Sequence, residues 1–323
     1  MRAFDAARLV AGSWLLVMVA TSALGQVGAD EGDPASRPWM LGVSAQLDDL
    51  DTDSLYATFN WAVTDKTWIY FSGGTSHFKN SFGELTTDSF LAGFDRQFGR
   101  FGFSLDAERW GDSAEIESTD VRATAYFGGE RYRVYLELED RHIDLSPVLA
   151  DRPLLSQRIN LDVDGSGIGL RIRVNLTDHL RLYLRGMSYD YEWASPALQR
   201  QDSLIDLCTN AAALMDSCDQ LQNFLMLLER RNSYVQSTLA NNSFLDSELS
   251  LHMEWALGSK LLNLNLTKDR AIDRARSESQ SIGLGILFPI SYRMDLEFSL
   301  GRSESDLFEP SNYGGVFFLL YGG

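Results

Sequence analysis

The sequence predicts an all-β fold: a transmembrane antiparallel up-and-down β-barrel of about fourteen strands, with one long, partly helical outer loop. Three observations lead there. Apolar residues recur at every second position along most of the chain, the period of a strand with two unlike faces. Very short connections alternate with longer polar ones. The periodic stretches run about 9–13 residues, where strands of water-soluble proteins run roughly 5–6.

The first segment reads as an address. Met1 to Arg8 carries Arg2 and Arg8 with one Asp5, and Leu9 to Leu24 is almost entirely apolar. The run ends in small residues at Ala23-Leu24-Gly25, with Val27-Gly28-Ala29 as a second candidate. This is the layout of a secretory signal peptide over 1–25, cleaved after Gly25 or Ala29. An N-terminal membrane anchor competes with it, but the run is short of the roughly 20 residues a spanning helix needs. Residues 26–37 then read as a polar leader and 38–323 as the barrel. No later apolar run reaches spanning-helix length.

The strands follow. Leu55, Ala57, Phe59, Trp61 and Val63 alternate with Tyr56, Thr58, Asn60 and Ala62. The same period runs through Phe101–Ala107, Tyr132–Leu138, Ile168–Leu176, Leu249–Leu257 and Met294–Leu300. Tight turns fall at 64–66, 98–100, 128–130, 177–178, 258–259 and 289–290. Longer connections fall at 48–53, 78–85, 110–117, 145–156, 194–244, 271–276 and 303–311. Between these marks lie strands at 39–47, 54–63, 66–77, 86–97, 100–109, 118–128, 130–144, 157–176, 179–193, 245–257, 259–270, 277–288, 291–302 and 312–321. The number is even and both ends fall on the short-turn side, as closure requires.

A soluble β-sandwich would alternate in the same way. Strand length and the scarcity of proline, seven in all, favour the membrane. So do aromatics near the expected interfaces: Trp39, Trp61, Trp68, Tyr70, Phe94, Phe127, Trp193, Trp255, Phe288 and Tyr292. At this point the chain resembles bacterial outer-membrane β-barrel proteins, porins broadly, as a pattern over roughly 38–321. The last strand adds a local match to the terminal signal that barrel-assembly machinery reads: Asn312, Gly315, Phe318 and Leu320, with Tyr321 as the late aromatic. Gly322-Gly323 stands where an aromatic usually closes such chains. The resemblance implies a Gram-negative outer membrane, with its lipid and the assembly machinery as partners. Self-association is left open.

If the apolar phase faces lipid, the polar phase faces the lumen. Arg122, Arg131, Arg133, Arg141, Arg171, Arg173, Arg181 and Arg185 then share one wall with Glu137 and Glu139. Asp106 and Glu108 stand beside them, and Asp246, Glu248, Glu254, Asp269, Asp295 and Glu297 lie on other walls with Arg293. Either these charges line a water-filled pore and set a transverse field, or they pair and fill the interior. Inward glycines at 165, 167, 169, 283 and 285 either leave room for a ligand or loop or relieve curvature.

Residues 194–244 break the period. Leu221, Phe224, Leu225 and Leu228 have helical spacing behind a Ser217/Gln220 capping box. Cys208 and Cys218 lie here and are expected to pair in an oxidising compartment, which needs a break in any helix between them.

Signals for chemistry are poor. His77, His142, His179 and His252 are scattered without metal-ligand spacing, and no cofactor motif appears. Asp162-Val-Asp164-Gly opens like a calcium loop, but its twelfth position is Arg173. His252 shares its phase with Glu248, Ser250 and Glu254, a faint hydrolase constellation. Forty-five acidic residues against 28 Lys and Arg, a formal charge of −17, argue against nucleic-acid binding. The leading expectation is a non-enzymatic, passive or weakly selective channel for small polar solutes. A non-conducting barrel that binds a ligand or partner comes second, and a barrel-embedded hydrolase third.

Overall fold

The computed structural model describes residues 39–49, 52–80, 83–112, 116–145, 148–149, 157–158, 161–193, 245–271, 278–306 and 310–322. The signal peptide, the leader, the helical reading of 194–244 and its Cys208–Cys218 bridge lie outside them.

The strands are β1 (Trp39–Asp48), β2 (Asp53–Thr64), β3 (Thr67–Asn80), β4 (Gly83–Phe98) and β5 (Phe101–Gly111). Next come β6 (Ile116–Gly128), β7 (Tyr132–Leu145), the two-residue β8 (Val148–Leu149) and β9 (Gln157–Arg158), and β10 (Leu161–Thr177). The remainder are β11 (Leu180–Trp193), β12 (Leu245–Leu257), β13 (Lys260–Ala271), β14 (Glu278–Ser291), β15 (Met294–Ser305) and β16 (Ser311–Gly322). β8 and β9 pair only with each other, and the other fourteen close into one antiparallel barrel in which β16 hydrogen-bonds to β1. Closure gives each of the fourteen strands a hydrogen-bonded neighbour on both sides, which hydrocarbon requires.

Each element forms for the reason its sequence suggests. Phe101, Phe103, Leu105 and Ala107 all fall on the outward face of β5, while Gly102, Ser104, Asp106 and Glu108 point in. Outward apolar side chains are bare: Ile168 is 58% and Leu300 70% exposed. A belt of that kind all round a barrel is suited to lipid rather than water. The tight turns are held by local chemistry. Gly99 and Gly258 sit at φ 63 and 64, where a side chain would strain the backbone. Arg131, expected on the inner wall, lies instead in the exposed turn between β6 and β7.

Two aromatics assigned to the lipid interface face the lumen: Tyr70 donates to Asp106 Oδ2 at 3.3 Å, and Trp68 stands two residues away in register with Asp95. Trp61 and Trp255 do face outward, at 47% and 45% exposure. Asp246 turns outward as well. A bulge between Leu245 and Ser247 shifts the register, so that Leu245 is buried and Asp246 pairs with outward Arg270.

At the long-loop end of β6, β7, β10 and β11 the alternation changes sign. Outward on β7, Val134, Leu136 and Leu138 give way to Asp140, His142 and Asp144. Outward on β10, Ile168 is followed towards that end by Ser166, Asp164 and Asp162, and on β11 Leu184 is followed by Ser188, Asp190 and Glu192. Inward at the same height lie Trp110, Ile116, Ile143, Val163 and Leu245, each no more than 2% exposed. Strand length explains the switch. The 17 residues of β10, at ~3.3 Å each and tilted by ~40°, rise about 43 Å, whereas the apolar band is about 25 Å tall. The surplus forms a collar with an apolar core and an acidic coat, like an ordinary water-soluble sheet.

Candidate lumenal site

The inner wall from β5 to β13 carries the charges that alternation placed there, and most of them meet. Arg122 Nε lies 3.1 Å from Glu139 Oε2, with Asp106 at 4.0 Å. Arg141 Nε lies 2.6 Å from the other oxygen of Glu139, and its Nη1 donates to Tyr191 at 3.2 Å. Glu137 is shared between Arg171, at 3.0 Å, and Arg185, at 2.8 Å. Arg185 continues to Glu248 at 2.7 Å, and Arg181 reaches Glu254 at 3.1 Å. The carboxylates are the buried members: the side chains of Glu137 and Glu139 are 2% and 0% exposed, those of Arg122, Arg171, Arg181 and Arg185 19–27%. The charges therefore pair; Arg141 is buried with its carboxylate at 1% exposure, while the side chains of the other four arginines keep a wetted edge towards the lumen.

Breaking such a group leaves an uncompensated buried charge, which costs about 3–5 kcal/mol. Two further acids have neutral partners. Asp295 accepts the Tyr321 hydroxyl at 2.7 Å, and Glu297 accepts from Asn263 at 3.1 Å. Tyr321 thus points inward, while Phe318 and Leu320 on the same strand belong to the outward face with Asn312, whose amide reaches Asp49 at 2.8 Å. Gly315 is inward, against Ser299. Asp269 and Glu108 are inward and buried.

The inward glycines are covered by neighbouring side chains. A Cβ on Gly165 would meet the Tyr191 ring at 2.6 Å, on Gly167 the Tyr189 ring at 2.7 Å, and on Gly93 the Tyr70 ring at 2.5 Å. Tyr56 lies over Gly74, Tyr126 over Gly102 and Tyr313 over Gly301 in the same manner. Met187 covers Gly169, Glu297 covers Gly285, and the Tyr313 hydroxyl lies by Gly283. Bare backbone on one strand lets the ring of the next lie along the wall instead of across the lumen. Sequence reading missed these tyrosines. Their signal is an inward tyrosine with an inward glycine on the adjacent strand, visible only once the register is known.

The hydrolase constellation does not assemble. His252 Nε2 faces Glu254 Oε1 at 3.3 Å, and its Nδ1 is taken by Asn265. Neither ring nitrogen is left for a serine. Among the described residues no group of His, Cys, Asp or Glu has the geometry of a metal site. At the short-turn end a cavity of about 750 Å³ opens between the turns, lined by residues including Asn175, Arg181, Glu254, Lys260 and Asp295.

No protein-family model matches the sequence, and no curated protein matches it. Solved structures do match the architecture. CymD, a monoaromatic hydrocarbon channel, is 8% identical with a TM-score of 0.51 over 88% of this chain and 89% of its own. The fold is that of an outer-membrane barrel. The KdgM porin in complex with oligogalacturonate is 10% identical, with a TM-score of 0.39 over 87% of this chain and 98% of its own. A loop-deletion form of OmpT, an outer membrane protein of Vibrio cholerae, is 8% identical, with a TM-score of 0.47 over 88% and 98%.

Proposed function

We propose that this chain is a Gram-negative outer-membrane channel, passive or weakly selective, for small polar solutes. One observation carries the reading: a closed fourteen-strand barrel whose inner wall is charged, with the side chains of Arg122, Arg171, Arg181 and Arg185 19–27% exposed, while its outer belt is apolar. Fourteen strands lie closer to the sixteen or eighteen that leave an aqueous channel than to the eight whose interior is filled by side chains. Tyrosines lying flat over glycines keep the middle of the lumen clear of their rings. A carboxylate wall with guanidinium edges offers polar solutes replacement hydrogen bonds for those they leave in water.

In this reading the short turns face the periplasm and the collar stands outside the cell. The N-terminal segment is removed on export, and the last strand, closing the barrel against β1, presents the assembly signal. Planar-bilayer recording of the refolded protein is the test. Discrete conductance steps are expected. Folded protein that inserts without raising conductance above bare lipid would remove the channel in favour of a non-conducting barrel, a reading to which the collar's apolar interior would then belong.

A further inference from the structure

One arginine on the charged wall stands apart from the pairing. Arg133 on β7 and Arg173 on β10 are directly opposite in register, and both point inward. They are 8% and 5% exposed. Like charges in directly opposite positions repel, and each guanidinium has given up most of its water. Elsewhere on the wall this situation is answered by a carboxylate. At Arg133 no carboxylate comes within ion-pairing distance among the described residues. Among the described residues its contact is with the face of the Tyr126 ring, 4.9 Å away, and its buried Nε has no acceptor. Arg173 donates from Nη2 to the Gly129 carbonyl at 3.3 Å. The acid of this layer, Asp95, accepts the Tyr126 hydroxyl at 3.0 Å, and the next arginine, Arg181, is taken by Glu254.

Arg133, Arg173 and Asp95 together leave one net positive charge, in a chain whose formal charge is −17. The cavity of about 750 Å³ at the short-turn mouth lies next to this layer: its wall includes Arg131, two residues before Arg133, Asn175, two residues after Arg173, and Arg181. We propose that Arg133 and Arg173 form a binding site for a small monocarboxylate, reached from the short-turn end. A planar guanidinium fork matches a carboxylate with two parallel hydrogen bonds. One such anion balances the layer, and the cavity admits a polar acid the size of a sugar acid. The site rests on the channel reading for its use, as the solute class that the passage favours.

Gluconate serves as the probe. Unfolding of the detergent-solubilised protein is followed by loss of β-sheet circular dichroism, in sodium gluconate and in sodium chloride at equal ionic strength. A ligand that binds only the folded state raises the midpoint, here by about 3 °C at saturating gluconate. Arg133→Gln removes the surplus charge of the layer, so it should fold and lose the gluconate difference. Arg133→Lys keeps the charge without the fork and should at least halve it. No difference in the native sequence, or an undiminished one in Arg133→Lys or Arg133→Gln, overturns the site. The measurement does not need conductance. Protein that binds gluconate but passes no current would sink the channel and leave the site standing.

Discussion

The four strands β6, β7, β10 and β11 pass through two regions that obey opposite rules. At the height of the belt, Leu136, Leu138, Ile168 and Leu170 point out, and Glu137, Glu139 and Arg171 point in. Two to six residues further along the same strands, Asp140, Asp144, Asp162 and Asp164 point out, and Ile143 and Val163 point in. The backbone pairing runs through without interruption: Leu138 is opposite Ile168, and Ile143 is opposite Val163. What changes is the medium outside. Lipid takes apolar side chains and leaves polar ones to the lumen, while water takes acids and leaves the apolar ones to a core. The comparison teaches that the sign of the alternation, read along one strand, marks where the membrane stops.

Four tests break or sharpen this contrast. The largest effect is expected in the collar core. Ile143 is 0% exposed, so Ile143→Asp buries an unpaired carboxylate and should cost several kcal/mol. Folded yield and the detergent unfolding midpoint should both fall steeply. An Ile143→Asp protein that folds as well as the native one would mean that water fills the collar.

On the outward face the same strand offers a paired test. Leu138→Arg in the belt should cost about 2–4 kcal/mol in lipid, as a cation near mid-bilayer does. His142→Arg, on the same face but in the collar and among acids, should stay within about 0.5 kcal/mol of the native protein. Measured by reversible unfolding from liposomes, equal costs at the two positions would erase the boundary drawn between belt and collar.

A smaller loss is expected at the seam of the two regions, where the Trp110 indole donates to Asp120 Oδ2 at 3.1 Å. Trp110→Phe keeps most of the apolar bulk and deletes the donor to a buried carboxylate, for about 1.5–3 kcal/mol. Chemical denaturation reads it directly. A loss as large as that of Ile143→Asp would assign the residue to packing rather than to its hydrogen bond.

The smallest effect is on conduction. Arg171 and Arg181, with 27% and 24% of their side chains exposed, meet the lumen from the charged wall. Replacing both by Gln removes two positive charges beside a passing ion, so the reversal potential in a salt gradient should move towards cation preference. Because these heads are partly wetted, screening keeps the shift modest. An unmoved potential in folded protein would take them off the conducting path.

Sequence alone determined the strands and their closure. Alternation is a local property, set by which of two faces each residue occupies, so the fourteen segments and the short and long connections could be read one at a time. That is why the wall of Arg122, Arg171, Arg181, Arg185, Glu137 and Glu139 could be named before any contact was known. Partners were another matter. Whether Glu137 meets Arg171 and Arg185, whether Tyr189 covers Gly167, and whether Arg133 faces Arg173 depend on the register between strands far apart in the chain. A one-residue slip would exchange every one of these neighbours while leaving each strand's own pattern unchanged. The turn position of Arg131, the bulge that turns Asp246 outward and the inward Trp68 belong to the same class. The collar lies between the two. Its acids were visible in the sequence, but period two assigns residues to faces without saying what medium each face meets, and only the height of the strands in the closed barrel separates lipid from water.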